Sequence, residues 1–135
     1  ATTWTARKPI TKRALEADPN NAYNLGNYSA FLAKYRNNLD GAEIYFRRAL
    51  EVDSEDATLL GNFARFLEEQ RGDLDSAETY YQRSLEADPK NTHNLGNYVA
   101  FLEEKRGDLD RAEAYFRSAL ETSPKRTTAT PCNRF

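Results

Sequence analysis

The chain repeats itself every 35 residues, and this period restricts the available folds more than any other feature. Residues 16–50 and 86–120 are identical at 23 of 35 positions, and residues 51–85 keep the same skeleton. A unit of this length is too small to bury its own apolar face. The sequence therefore predicts an array of similar units that stack and share one core.

Each unit contains two stretches with helical hydrophobic periodicity. In the first stretch of the first unit, Leu25, Tyr28 and Leu32 recur at spacings of three and four residues. In the second stretch, Phe46 and Leu50 repeat at a spacing of four. Residues at these spacings share one face of a helix. The pattern predicts one hairpin per unit, with helices of about 14 and 12 residues.

Residues with special backbone preferences predict where the helices begin and end. The positions of a left-handed C-cap carry glycine or asparagine, namely Asn37, Gly72 and Gly107. Three aspartates are each followed by glutamate three residues later, which predicts capping boxes with N-caps at Asp40, Asp75 and Asp110. Between the hairpins, the large rings predicted to fill the core are Phe46, Tyr81 and Phe116.

The repeated positions resemble the hairpin pattern of the tetratricopeptide repeat family. In the first unit the matching residues are Leu25, Tyr28, Ser29, Leu32, Ala42, Phe46, Ala49 and Ser54. The resemblance implies an all-α fold, a right-handed α-solenoid of stacked antiparallel helix hairpins. The predicted divisions are a basic, irregular leader at 1–8, a half-repeat at 9–19, repeats at 20–54, 55–89 and 90–124, and a basic tail with threonine and proline at 125–135. The family period is 34 residues, and the extra residue is predicted in the turn within the hairpin.

The same resemblance implies a non-catalytic scaffold whose first helices hold an extended or helical peptide on a concave surface. The candidate peptide-binding residues are Tyr23, Asn27, Asn62, Arg65, Glu69, His93, Asn97 and Glu104. Among them, Asn27, Asn62 and Asn97 form a row of amides that can both donate and accept hydrogen bonds. Two alternatives stay open: the asparagines bond between units, and the neighbouring glycines at 26, 61 and 96 serve helix contact.

The charge distribution bears on the partner. All 21 acidic residues lie between Glu16 and Glu121 with 12 of the 19 basic ones, so this segment carries −9 and the flanks carry +7. The repeat core is therefore expected to repel nucleic acid, which also argues against the similar pentatricopeptide repeats that read RNA. Glutamates near the rim, Glu68 and Glu69 among them, favour a basic peptide.

Other functions lack the residues they need. One cysteine and one histidine do not make a usual zinc site, and no catalytic or phosphate-binding motif is present, so neither enzyme activity nor a cofactor is expected. No signal peptide or membrane-spanning stretch is found, which predicts an intracellular, cytoplasmic protein. A second hypothesis is a self-associating module that forms homo-oligomers through its terminal repeats.

Overall fold

The computed structural model describes residues 9–121, which form seven helices and no strand. The helices are α1 (Ile10–Ala17), α2 (Ala22–Tyr35), α3 (Leu39–Val52), α4 (Ala57–Phe66, continued by a π-helical turn at Leu67–Arg71), α5 (Leu74–Ala87), α6 (Thr92–Phe101, continued by a π-helical turn at Leu102–Arg106) and α7 (Leu109–Glu121). We call α2, α4 and α6 the first helices and α1, α3, α5 and α7 the second helices. The predicted all-α solenoid of helix hairpins is confirmed, whereas the leader at 1–8 and the tail at 125–135 lie outside the described residues.

The N-caps of the second helices are not the residues predicted. Asn38, Asp73 and Asp108 accept a hydrogen bond from the backbone N–H three residues later, at 2.9 to 3.2 Å. The prediction of Asp40, Asp75 and Asp110 was therefore wrong by two residues. Asp40, Asp75 and Asp110 lie in the first turn of each helix, where a negative charge interacts favourably with the helix dipole and stabilises the helix. The capping-box spacing was misleading because the paired glutamates form ion pairs instead, Glu43 and Glu78 with the next repeat and Glu113 with Arg117 of its own helix.

The turns inside the hairpins have the predicted left-handed backbone. Asn37, Gly72 and Gly107 have φ angles of 50°, 69° and 65°. Before each glycine, the first helix ends in the π-helical turn, and the Gly72 N–H reaches the Leu67 carbonyl five residues back. Because a π turn spans five residues between bonded groups instead of four, it accommodates an additional residue at the end of the helix.

At the α3–α4 and α5–α6 junctions, a single ring from the second helix packs against two neighbouring rings of the following first helix. The Phe46 ring centroid lies 5.3 Å from those of both Phe63 and Phe66. One repeat later, the ring of Tyr81 lies 5.6 Å from Tyr98 and 5.3 Å from Phe101. Phe46 and Tyr81 are 5% and 1% exposed, so the predicted core is present at both junctions.

The ring at the end of the described array departs from the prediction. Phe116 occupies the register of Phe46 and Tyr81 but is 56% exposed. The expectation that Phe116 is a core ring was wrong, because its burial requires a following first helix and no such helix lies within residues 9–121. The sequence pattern reports the register of a residue, while burial depends on its neighbour.

Ion pairs cross both junctions beside the rings. Arg71 binds Asp40 at 2.5 Å and Glu43 at 3.0 Å, and Arg106 repeats this arrangement with Asp75 and Glu78. Glu78 additionally accepts hydrogen bonds from the Tyr98 hydroxyl at 2.8 Å and from Arg111 at 2.5 Å. Burial by itself raises the pKa of Glu78, but these hydrogen bonds outweigh it and hold the pKa below its ordinary value.

Replacing Phe46 by alanine is expected to cost about 3 kcal/mol or more, because the substitution leaves a cavity beside Phe63 and Phe66. The matched control is Phe116→Ala, which removes the same ring from the same register at an exposed site and is expected to cost less than about 1 kcal/mol in dilute solution. Urea denaturation measures both. Equal losses of stability in the two variants would contradict a core that depends on the contact of Phe46 with Phe63 and Phe66.

The lowered pKa of Glu78 predicts a contribution to stability that depends on pH. The charged form is preferred in the folded state, so its stabilisation is complete above the ordinary glutamate pKa of 4.5 and is lost as the pH falls through the lowered value. Glu78→Gln is therefore expected to be less stable than wild type at pH 7, with a difference that shrinks in acid. Glu113→Gln, in the same register but exposed, is the control. A difference independent of pH would refute the assignment.

Candidate functional site

Adjacent first helices approach each other closely at glycine. A methyl group on Gly26 would lie 3.2 Å from the Leu59 side chain, and one on Gly61 would overlap the Asn94 amide. Asn94 is 1% exposed and donates from Nδ2 to the Ala57 carbonyl at 2.8 Å. Contact between first helices therefore accounts for glycine at 26 and 61, the alternative that the sequence left open.

The third glycine of the row is not constrained in this way. A methyl group on Gly96 would have no neighbour within 4 Å. Gly96 lies on α6, the last first helix of the described residues. Glycine in a helix interior is unfavourable by about 1 kcal/mol relative to alanine, so the described contacts do not explain its presence here.

A groove of about 620 Å³ runs between α2 and α4, and we call it the α2–α4 groove. Its lining includes five of the eight candidate residues, Tyr23, Asn27, Asn62, Arg65 and Glu69. The first helices supply nearly all of the lining, and the helical spacing of the candidates places them along one side of each helix. The structure thus brings together the candidates from the first two full repeats.

The side-chain amides of two asparagines in the groove have no hydrogen-bond partner among the described residues. Asn27 and Asn62 are exposed, and neither side chain makes a hydrogen bond to another residue within 9–121. The buried amide is Asn94 instead, which lies three residues before Asn97. The asparagine that bonds across the α4–α6 contact is thus Asn94, while Asn27 and Asn62 keep their donors and acceptors available.

Apolar side chains beneath the amides were not identified as site residues from the sequence. Phe46, Leu59 and Phe66 line the groove and are 5% to 6% exposed. Their periodicity identified them as core or left them unassigned, because one residue can contact both the core and the groove floor. Phe66 follows Asn62 by four residues, and this spacing is the signal that would have placed it beside the amide.

Charges of both signs line the groove. Lys34 and Arg65 are balanced by Asp56 and Glu69, and the Arg65 Nε lies 3.3 Å from a Glu69 oxygen. Glu68, expected at the rim, accepts a hydrogen bond from the Tyr81 hydroxyl at 2.7 Å and is half-buried. Burial and this glutamate raise the pKa of Tyr81, so its hydroxyl stays protonated and keeps donating.

The remaining three candidates lie one repeat further along and do not line the α2–α4 groove. His93 and Asn97 are on α6, the first exposed and the second half-buried. Glu104 is exposed in the π-helical turn that follows. If these residues bind a ligand together with Asn62, that ligand extends past the groove onto α6.

The part of the chain that the structure describes, residues 9–121, contains no group of three histidine, cysteine, aspartate or glutamate side chains that would hold a metal ion. None of its helices is both long enough and apolar enough to cross a membrane.

The helix hairpins and the groove between first helices define a helical-repeat protein, and comparison with known proteins identifies its kind. Sequence profiles described as tetratricopeptide repeat match residues 29–92 and 100–126, together more than half of the chain. The chain belongs to the tetratricopeptide repeat family. Repeats of this family generally mediate protein–protein interactions.

A solved structure of similar fold is the crystal structure of MamA. It shares 18% sequence identity with this chain over 87% of each, with a TM-score of 0.56. The likeness supports the solenoid fold. A search of curated protein sequences gave no match.

The contact between Gly61 and Asn94 predicts opposite effects for two equivalent substitutions. Gly61→Ala is expected to lower stability, because displacing Asn94 unpairs buried polar groups at about 1–3 kcal/mol, more than the helix propensity gained. Gly96→Ala is expected to raise stability by up to about 1 kcal/mol. Thermal and urea unfolding report both changes.

A double-mutant cycle separates the contact from general helix effects. In an Asn94→Ala background the obstructing amide is absent, so Gly61→Ala is expected to be neutral or stabilising. A loss of the same size in both backgrounds would show that the Asn94 side chain is not what requires glycine at 61.

Proposed function

We propose that this protein is a non-catalytic scaffold that binds an extended or helical peptide of a partner protein on the concave face formed by its first helices. The α2–α4 groove is the primary site. The observation that carries the proposal is a pair of exposed, unbonded amides, Asn27 and Asn62, above an apolar floor. Free polar groups beside apolar surface suit a ligand that has a polar backbone and apolar side chains.

The amides are suited to the peptide backbone. Each asparagine offers two donors and an acceptor, which match the C=O and N–H groups of an extended chain whatever its side chains. Asn27 and Asn62 occupy the same position in consecutive repeats, on the adjacent first helices α2 and α4. They can therefore contact successive stretches of the same peptide. A bound side chain would rest on Phe66 and Leu59.

The charged side chains favour different net charges in different parts of the bound peptide. Within the α2–α4 groove the charges balance, whereas Glu103 and Glu104 add exposed carboxylates on the neighbouring repeat. We therefore propose a peptide that is neutral where it lies in the groove and basic where it extends onto α6 and the π-helical turn after it. Asn97 and His93 would contact that extension.

Peptides selected from a random display library on the immobilised chain test this function. The double variant Asn27→Ala/Asn62→Ala is expected to bind the selected peptides about tenfold more weakly or worse, because several hydrogen bonds of about 1 kcal/mol are lost together. Its melting temperature is expected to stay unchanged, since neither amide is bonded within residues 9–121. Isothermal titration calorimetry and thermal unfolding measure the two quantities.

Asn20→Ala is the matched control, because it removes an exposed amide in the turn before α2, outside the groove. It is expected to leave affinity unchanged. Equal affinity of the double variant and wild type would refute the amide site, and equal loss of fold and binding would show that the amides are structural. A Glu103→Lys/Glu104→Lys variant tests the charge preference, which predicts weaker binding of basic peptides only.

A further inference from the structure

The last second helix, α7, presents a surface that is buried at the internal junctions. Phe116 and Leu120 are 56% and 44% exposed, while their equivalents one repeat earlier, Tyr81 and Leu85, are 1% and 9% exposed. The equivalents are covered by the following first helix, whose rings enclose Tyr81. The exposed α7 surface thus carries the same kinds of side chain as the second-helix side of an internal junction.

The acidic residues beside this surface also match those on the second-helix side of an internal junction. Asp110 and Glu113 occupy the registers of Asp75 and Glu78, which bind Arg106 from the following helix. Glu113 pairs with Arg117 of its own helix at 2.6 Å, as Glu43 pairs with Arg47 while also binding Arg71. The surface is therefore complementary to a first helix that carries two rings followed by an arginine.

The first helix α2 of the same chain has this composition. Tyr28 and Phe31 stand in the registers of Tyr98 and Phe101, and Arg36 stands in that of Arg106. Arg36 is exposed, lies over the Phe31 ring at 4.9 Å as Arg106 lies over Phe101 at 5.6 Å, and forms no ion pair within residues 9–121. Every group needed to complete a junction with α7 is present on α2.

In the described structure α2 is covered by α1, whose residues match those of the internal junctions less well than the residues of α7 do. Thr11 stands in the register of the Phe46 and Tyr81 rings, and its hydroxyl oxygen is buried without a hydrogen-bond partner in the described part of the chain. In the sequence repeat, the positions equivalent to Asp110 and Glu113 are Thr5 and Lys8, and neither residue type carries a carboxylate. α1 also has 8 residues against 13 in α7.

We propose that copies of this chain assemble head to tail, with α7 of one copy taking the place of α1 on α2 of the next. Internal junctions always join a second helix to a first helix, and the described array has a second helix at both ends. Joining α7 to α1 would place two second helices side by side. The register continues only when α1 is displaced, so that Phe116 packs against Tyr28 and Phe31 and Asp110 and Glu113 bind Arg36.

This proposal does not depend on peptide binding in the α2–α4 groove. Its interface is heterologous, since different surfaces meet, and such contacts lead to rings or open chains of copies. The test is sedimentation and light scattering of the full 135-residue chain from micromolar to millimolar concentration. The mass is expected to rise above that of one 15.4 kDa chain.

Substitutions in the two surfaces identify the contact. Phe116→Ala is expected to weaken association about tenfold or more, as the loss of a central buried ring does at interfaces. Ile44→Ala is the matched control, because Ile44 is 57% exposed on a second helix but lies outside the proposed contact. A mass of one chain at all concentrations would overturn the proposal, as would association that Phe116→Ala leaves unchanged.

Charge reversal tests the register. Arg36→Glu alone and Asp110→Arg/Glu113→Arg alone are each expected to weaken association, because like charges then meet. A chain that carries all three substitutions restores opposite charges and is expected to regain association. Failure to regain it would rule out this pairing of α7 with α2.

Weakening α1 tests its displacement. Leu15 is 6% exposed and anchors α1, so Leu15→Ala reduces the competition for α2. Association is then expected to strengthen about tenfold or more, given the usual cost of such a truncation. Adding Phe116→Ala is expected to remove this gain. Unchanged or weaker association in Leu15→Ala would show that α1 stays in place, and a gain that persists without Phe116 would show that α7 is not the displacing helix.

Discussion

The solenoid depends on the packing of one ring against two rings of the next helix. Phe46 and Tyr81 each bridge from a second helix to the two aromatic residues of the next first helix. Rings at these separations add edge and face attraction to the burial of apolar area. Because the contact joins consecutive hairpins, it fixes how they stack, and every surface formed by several first helices follows from it.

Most of the fold could be predicted from the sequence because the repeat multiplies weak local signals. A glycine at 72 alone is ambiguous, but glycine or asparagine at three equivalent positions identified the left-handed turns that the structure has at Asn37, Gly72 and Gly107. The cap assignment failed where two local rules competed. Asp73 and Asp75 are both suitable N-caps, and only the three-dimensional position of Glu78, bonded to Tyr98, Arg106 and Arg111, shows that it is not part of a capping box.

The site was less predictable, for a reason that lies in packing between helices. A helical wheel placed the residues from Tyr23 to Glu69 on one side, and the groove brings them together. The wheel placed Asn97 in the row but gave no role to Asn94, one turn away, which the structure buries against Ala57. It also did not show that Phe66 contributes to both core and groove, because that depends on the distance between two helices.

The close contacts at Gly26 and Gly61 set the spacing of neighbouring first helices by different means. A branched aliphatic side chain meets the first glycine, and a hydrogen-bonded amide meets the second. At Gly61 the residue that sets this distance is Asn94, which does not line the α2–α4 groove. A substitution at position 94 would therefore change the separation of α4 and α6, and with it the ligands that fit across these two helices, while leaving the residues that line the groove unchanged.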